Sequence, residues 1–77
     1  MSRKMVDVML HLDEATSHDK REALRAKILA LDGVFSADAH DEKPHLLVVE
    51  YDPDTLPSSR LLEVSRASGL HAELVGL

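Results

Sequence analysis

The apolar residues of this chain change their spacing in an order that leaves few folds open. Val6, Val8, Leu10 and Leu12 recur at period two, opposed by Asp7, Met9, His11 and Asp13, as in a strand with one buried face. Thr16 or Ser17 then suits a helix N-cap, Asp19 falls in the first turn, and Leu24, Ile28 and Leu31 follow at helical spacing. Asp32-Gly33 supplies a stop, because glycine accepts the left-handed backbone that closes a helix. Val34 to Ala39 and His45 to Tyr51 read as a hairpin around Asp41-Glu42-Lys43-Pro44. Asp52-Pro53-Asp54 breaks its second strand, and Ser58 or Ser59 caps a helix lined by Leu61, Leu62 and Val64 that ends at Ser68-Gly69. Leu70 to Leu77 gives a last strand, with Ala72 and Leu74 alternating against His71, Glu73 and Val75. The order β-α-β-β-α-β, with no linker or repeat, predicts one domain over residues 1–77. Its class is α+β, a ferredoxin-like sandwich: a four-stranded antiparallel sheet in the order 4-1-3-2 with two helices on one face.

Composition then removes whole classes of function. With no cysteine in 77 residues, the chain has no disulfide, thiolate metal site, iron–sulfur cluster or cysteine nucleophile. Its core is aliphatic, since Phe35 and Tyr51 are the only aromatic residues, and base-stacking surfaces for single-stranded nucleic acid are poorly supplied. Nine Lys and Arg against fourteen Asp and Glu give a net charge of −5. Arg3-Lys4 is a short basic cluster at the N-terminus and the other basic residues are scattered among acids, so a phosphate backbone is not the expected partner. Asp7 interrupts the first apolar run, which reads as a strand and not a signal peptide. No stretch approaches the roughly 18 apolar residues of a membrane span. The expectation is a soluble, cytoplasmic domain with no nucleic-acid partner and no membrane insertion.

At the level of local stretches the chain resembles the heavy-metal-associated domain family of copper chaperones and metal-ATPase N-terminal modules. The likeness rests on Leu10 and Leu12 before the first loop, Leu31-Asp32-Gly33-Val34, Val49-Glu50-Tyr51-Asp52-Pro53, and Ser68-Gly69-Leu70-His71-Ala72. It runs nearly end to end and implies a metal-transport or metal-homeostasis setting. The family's Met-x-Cys-x-x-Cys motif falls, counting back from Gly33, on Ala15, Ser17 and Lys20. A hydroxyl does not replace a soft thiolate, and Lys20 brings a positive charge to the place of the metal. The family's site is therefore expected to be lost.

Five histidines raise the alternative of a divalent transition metal held by imidazole and carboxylate. His18 lies in the degenerate loop near Asp13, Glu14 and Asp19, where a solvated helix start explains the same residues. His11 and His71 share outward parity at the end of the first strand and the start of the last, neighbours in the predicted order. Facing positions would bring their Cβ atoms to about 5 Å, with Asp13 or Glu73 adding a carboxylate. Two polar residues on an open sheet face need no such role. His40 and His45 flank the hairpin, but parity sends them to opposite faces.

The same parity turns Met9, Leu46, Val48 and Val75 outward on adjacent strands. A contiguous apolar patch on a sheet face points to a homodimer or a protein partner, whereas single exposed apolar residues are ordinary. Catalysis is not expected: Ser17-x-x-Lys20 is explained by capping and a solvated first turn, and no phosphate-cradling glycine loop is present. An ACT-like small-molecule regulatory module shares the fold, but the glycine expected at its first strand–helix junction is missing.

Overall fold

Six elements make up the computed structural model, which describes residues 5–13, 16–40 and 42–76. They are β1 (Val6–Leu12), α1 (His18–Leu29), β2 (Val34–Ala39), β3 (Leu46–Tyr51), α2 (Ser58–Ala67) and β4 (Ala72–Gly76). The strands form one antiparallel sheet ordered β2-β3-β1-β4, the ferredoxin-like order expected from the periodicities. Leu10, Leu12, Leu47 and Val49 on one sheet face pack with Leu24 and Ile28 of α1 and Leu61 of α2, all of them fully or almost fully buried. The other face is left open, and Asp7, Met9, His11, Leu46, Val48, Glu50, Glu73 and Val75 lie on it by strand alternation.

Element ends agree with the sequence reading at some places and differ at others. Ser17 is the N-cap of α1, in extended backbone with its Oγ accepting from Lys20 N at 3.3 Å. That helix stops at Leu29, short of Asp32-Gly33. Gly33, at φ +96°, instead turns the chain into β2. Its carbonyl accepts from Asp52 N at 2.7 Å, and a Cβ there would lie 3.1 Å from Thr55 Cβ. The glycine thus serves a turn and a close approach, not a helix cap.

Neither Ser58 nor Ser59 caps α2: Pro57 holds that position without a side-chain bond. The β3–α2 connection is organised by Asp52, whose carboxylate accepts from Asp54 N at 2.9 Å and Thr55 Oγ1 at 2.8 Å, an Asx turn. At the far end the expectation holds. Gly69 N donates to Arg66 O and Leu70 N to Ser65 O, with Gly69 at φ +80°, the paired bonds of a Schellman motif. Leu70, 3% exposed, tucks into the core beyond it. A bulge between Val34 and Ser36 makes Phe35 the extra residue of edge strand β2, 40% exposed.

Candidate functional site

Thr16, at the helix end of the β1–α1 connection where the resemblance puts a metal, is held by an arginine. Arg21, in the first turn of α1, is only 3% exposed. Its Nη1 donates to the Thr16 carbonyl and approaches Thr16 Oγ1 at 3.4 Å. Thr16 Oγ1 in turn donates to the Pro44 carbonyl at 2.9 Å, and Thr16 N reaches the same oxygen at 3.4 Å. A hydroxyl both gives and receives, so Thr16 ties the guanidinium to the β2–β3 turn. Leu12 N donates to His45 O at 2.7 Å beside it. Ser17 and Lys20, at the motif's thiolate positions, are both exposed and joined by the N-cap bond. Ala15, at the motif's methionine position, and Glu14 lie outside the described residues, as does the basic pair Arg3-Lys4. Among the described residues of this region stand two basic side chains, Lys20 and Arg21, and no thiolate.

Sequence reasoning missed Arg21, yet a signal was present. Arg21, Leu24, Ile28 and Leu31 lie on one stripe, and projecting the apolar spacing back one turn puts a charge on the core face.

The histidines are arranged differently from the sequence expectation. His11 faces Glu73 on β4 and Leu46 on β3. His71 lies two residues further along β4's approach, where its carbonyl accepts from Asp13 N at 2.9 Å. His11 and His71 are therefore diagonal and not directly opposed, because the β1–β4 register is set by the core pairs Leu10–Leu74 and Leu12–Ala72. The ring that meets His11 belongs to His45: the two are stacked at 6.2 Å between centroids and 17° between planes. His45 precedes β3, so strand parity does not govern it, and its Nδ1 lies 3.2 Å from Leu12 O. His18 opens α1 in an exposed position. Among the described residues no group of three or more His, Asp or Glu is disposed to hold a metal ion.

The register sorts the open face into rows. Val75, Met9 and Val48 sit side by side on β4, β1 and β3, with Asp38 next in line on β2. Val75 is 42% exposed, while Met9, Val48 and Leu46 are half-buried. Two residues along the strands on one side lies the row Glu73, His11, Leu46, carrying the His45 stack. On the other side Asp7 faces Glu50, and Ser36 Oγ donates to Glu50 Oε1 at 2.8 Å. Asp7 is held above the usual carboxylate range by partial desolvation against the sheet, then by the side-chain hydrogen bond to Glu50 and its negative charge. The clefts lined by Leu31, Leu56 and Arg60 and by Phe35 and Asp52 lie at the opposite end of β3 from the loop. No described helix is long and apolar enough to cross a membrane.

Solved structures of other domains share this fold. A copper-binding domain from a P-type ATPase superposes with a TM-score of 0.81 at 18% identity, over 92% of this chain and 95% of that one. Oxidized MerP from Ralstonia metallidurans gives 0.82 at 18% identity, over 92% and 97%. The yeast copper transporter domain Ccc2a, solved in apo and Cu(I)-loaded states, gives 0.80 at 20% identity, over 92% and 96%. No protein-family model and no curated protein matches the sequence. The chain therefore shares the ferredoxin-like fold of these domains, built without a single cysteine.

Proposed function

We propose that this chain is a non-catalytic binding module, related by its fold to metal homeostasis, that has given up thiolate metal capture and works by contact through its open sheet face. The observation that carries this reading is the Arg21–Thr16–Pro44 latch. Copper-type sites need two soft thiolates free to move onto the ion. Here a capping hydroxyl and an ammonium stand in those positions, and the loop behind them is bound to a buried cation. What remains available is the Val75–Met9–Val48 row. A contiguous apolar row in the middle of a sheet face suits association.

A competition assay tests the loss. The chain, mixed with Cu(I) held by a chromophoric chelator, is expected to leave the chelator's absorbance unchanged. Withdrawal of Cu(I) at stoichiometric protein would overturn the reading.

One observation favours a second reading, divalent-ion binding by imidazoles. The Leu12 carbonyl at His45 Nδ1 favours the tautomer with hydrogen on that nitrogen and the lone pair on Nε2, the arrangement of a metal-ligating histidine. Ni(II) or Zn(II) titration followed by NMR checks it. Selective broadening of His11 and His45, lost in His45→Ala, would support it.

A further inference from the structure

We infer that the open sheet face pairs with a second copy of itself about a twofold axis running across the strands, along the Val75–Met9–Val48 row. This deepens the reading of that face as the module's working surface and rests on it. The layout of charge around the apolar row selects the axis. Asp7 and Glu50 lie on one side, and the His11–His45 stack, with Glu73 beside it on the edge strand β4, on the other, each about 7 Å along the strands from the Met9 row. Two sheets packed face to face are related by a twofold axis lying between them, and two simple orientations exist. An axis along the strands sets Asp7 and Glu50 against their own copies, crowding four carboxylates together. An axis across the strands keeps Met9 on Met9 and Val48 on Val48, sets Asp7 over the partner's His11, and sets Glu50 over the partner's Leu46, next to the His45 ring that stacks on His11. The Asp7–His11 contact then forms twice by symmetry, as an isologous interface requires. Only the second orientation is self-complementary.

Two features define its strength and its edge. Four strands about 4.8 Å apart and three rows about 7 Å apart span a face on the order of 300 Å² per copy. That is well short of the roughly 800 Å² per partner of a stable complex. The association is therefore weak and concentration-dependent, and the net charge of −5 per copy makes it weaker at low salt. Asp38, at the β2 end of the central row, meets its own copy at the rim, so its neutralisation is expected to tighten the pair.

Sedimentation and ¹⁵N NMR dilution series up to about 1 mM test the inference, a range suited to interfaces of this small class. Wild type, Val48→Asp, His11→Glu, Asp7→Lys and an equimolar mixture of the last two are compared, with spectral dispersion reporting that each is folded. The expected pattern is self-association in the wild type, with concentration-dependent shifts confined to the open face. Val48→Asp and His11→Glu each weaken it at least tenfold. The mixture associates better than His11→Glu alone, because the ammonium introduced at position 7 of one copy meets the carboxylate introduced at position 11 of the other. A wild type monomeric throughout overturns the twofold pairing but leaves the face open to an unlike partner. Association indifferent to Val48→Asp overturns both the pairing and the choice of face. Association lost in Val48→Asp but untouched by the charge variants overturns the axis across the strands.

Discussion

Removing the Arg21 side chain is the sharpest test of how the loop is held. Truncation to alanine deletes a guanidinium bonded to the Thr16 carbonyl in a site where Arg21 is 3% and Thr16 7% exposed. A hydrogen bond from a charged donor contributes about 1.5–3 kcal/mol, and each lost stem methylene about 0.8 kcal/mol. Recovering the desolvation cost of a buried cation offsets part of that loss. The net for Arg21→Ala is about 3 kcal/mol, a large share of the roughly 4–11 kcal/mol expected of a domain this size. Arg21→Met keeps the apolar stem and removes only the charge and its bonds, so it costs about 1–1.5 kcal/mol. Urea denaturation followed by helical circular dichroism measures both, and the slope with denaturant stays constant if only stability changes. Hydrogen exchange supplies the local readout: the Leu12 and Asp13 amides, which close the base of the loop onto His45 and His71, exchange faster in both variants. A loss below about 1 kcal/mol for Arg21→Ala, with those amides unaffected, would refute the latch.

Backbone conformation and charge supply two more tests. Gly33→Ala is expected to destabilise more than Gly69→Ala, although both glycines have positive φ. At Gly69 the new methyl meets nothing within 4 Å, leaving only the backbone cost of about 1 kcal/mol. At Gly33 it also presses on Thr55 and Leu56 at 3.1–3.2 Å. Thermal melts rank the pair, and equal losses would show that the Thr55 approach yields freely. For Asp7, a raised folded pKa means the folded chain binds more protons than the unfolded one between the ordinary and the raised value. That contribution therefore strengthens the fold as pH falls through the raised pKa and weakens it as pH rises. Glu50→Gln removes the repulsion but not the desolvation, so Asp7 moves toward the ordinary range without reaching it. Carboxyl ¹³C titration reads this, and an unmoved Asp7 would exclude the pair.

Periodicity carried the fold because it reports which face each residue buries. Leu10, Leu12, Leu47 and Val49, placed inward by alternation, are all fully buried. The four-strand order followed from short connections and right-handed crossovers. Details decided by single contacts were not legible in the same way. The early stop of α1 and the reassigned role of Gly33 depend on Thr55 and Leu56, which approach from more than twenty residues away. The His11–His45 stack escaped because His45 precedes β3, where alternation says nothing about ring direction. Absent thiolates were visible at Ser17 and Lys20. What replaced them was not, because a charged residue in a helix first turn ordinarily points to solvent, and only its place on the Leu24–Ile28 stripe marks Arg21 as different.

The latch and the open face are physically continuous, and that continuity makes a last prediction. Thr16 grips the Pro44 carbonyl, and the next residue is His45, whose backbone and Nδ1 both meet Leu12 and whose ring lies on His11. A buried side chain in the loop thereby holds the turn that presents an imidazole to the sheet face. Thr16→Val keeps the shape, removes the hydroxyl bond to Pro44, and costs about 1 kcal/mol for a neutral hydrogen bond. If the chain of contacts transmits position, the ring protons of both His11 and His45 shift, although neither ring bonds to position 16. Self-association through the face weakens with them. Arg21→Met, which strips the guanidinium from the other side of Thr16, should move the same resonances in the same direction. Coupling between separated sites needs a connected element with alternative arrangements, and the β2–β3 turn is the element proposed for that role. Histidine resonances unmoved in both variants would mean that the turn is held by the Leu12–His45 backbone bond alone. The loop and the face would then be independent features of one fold.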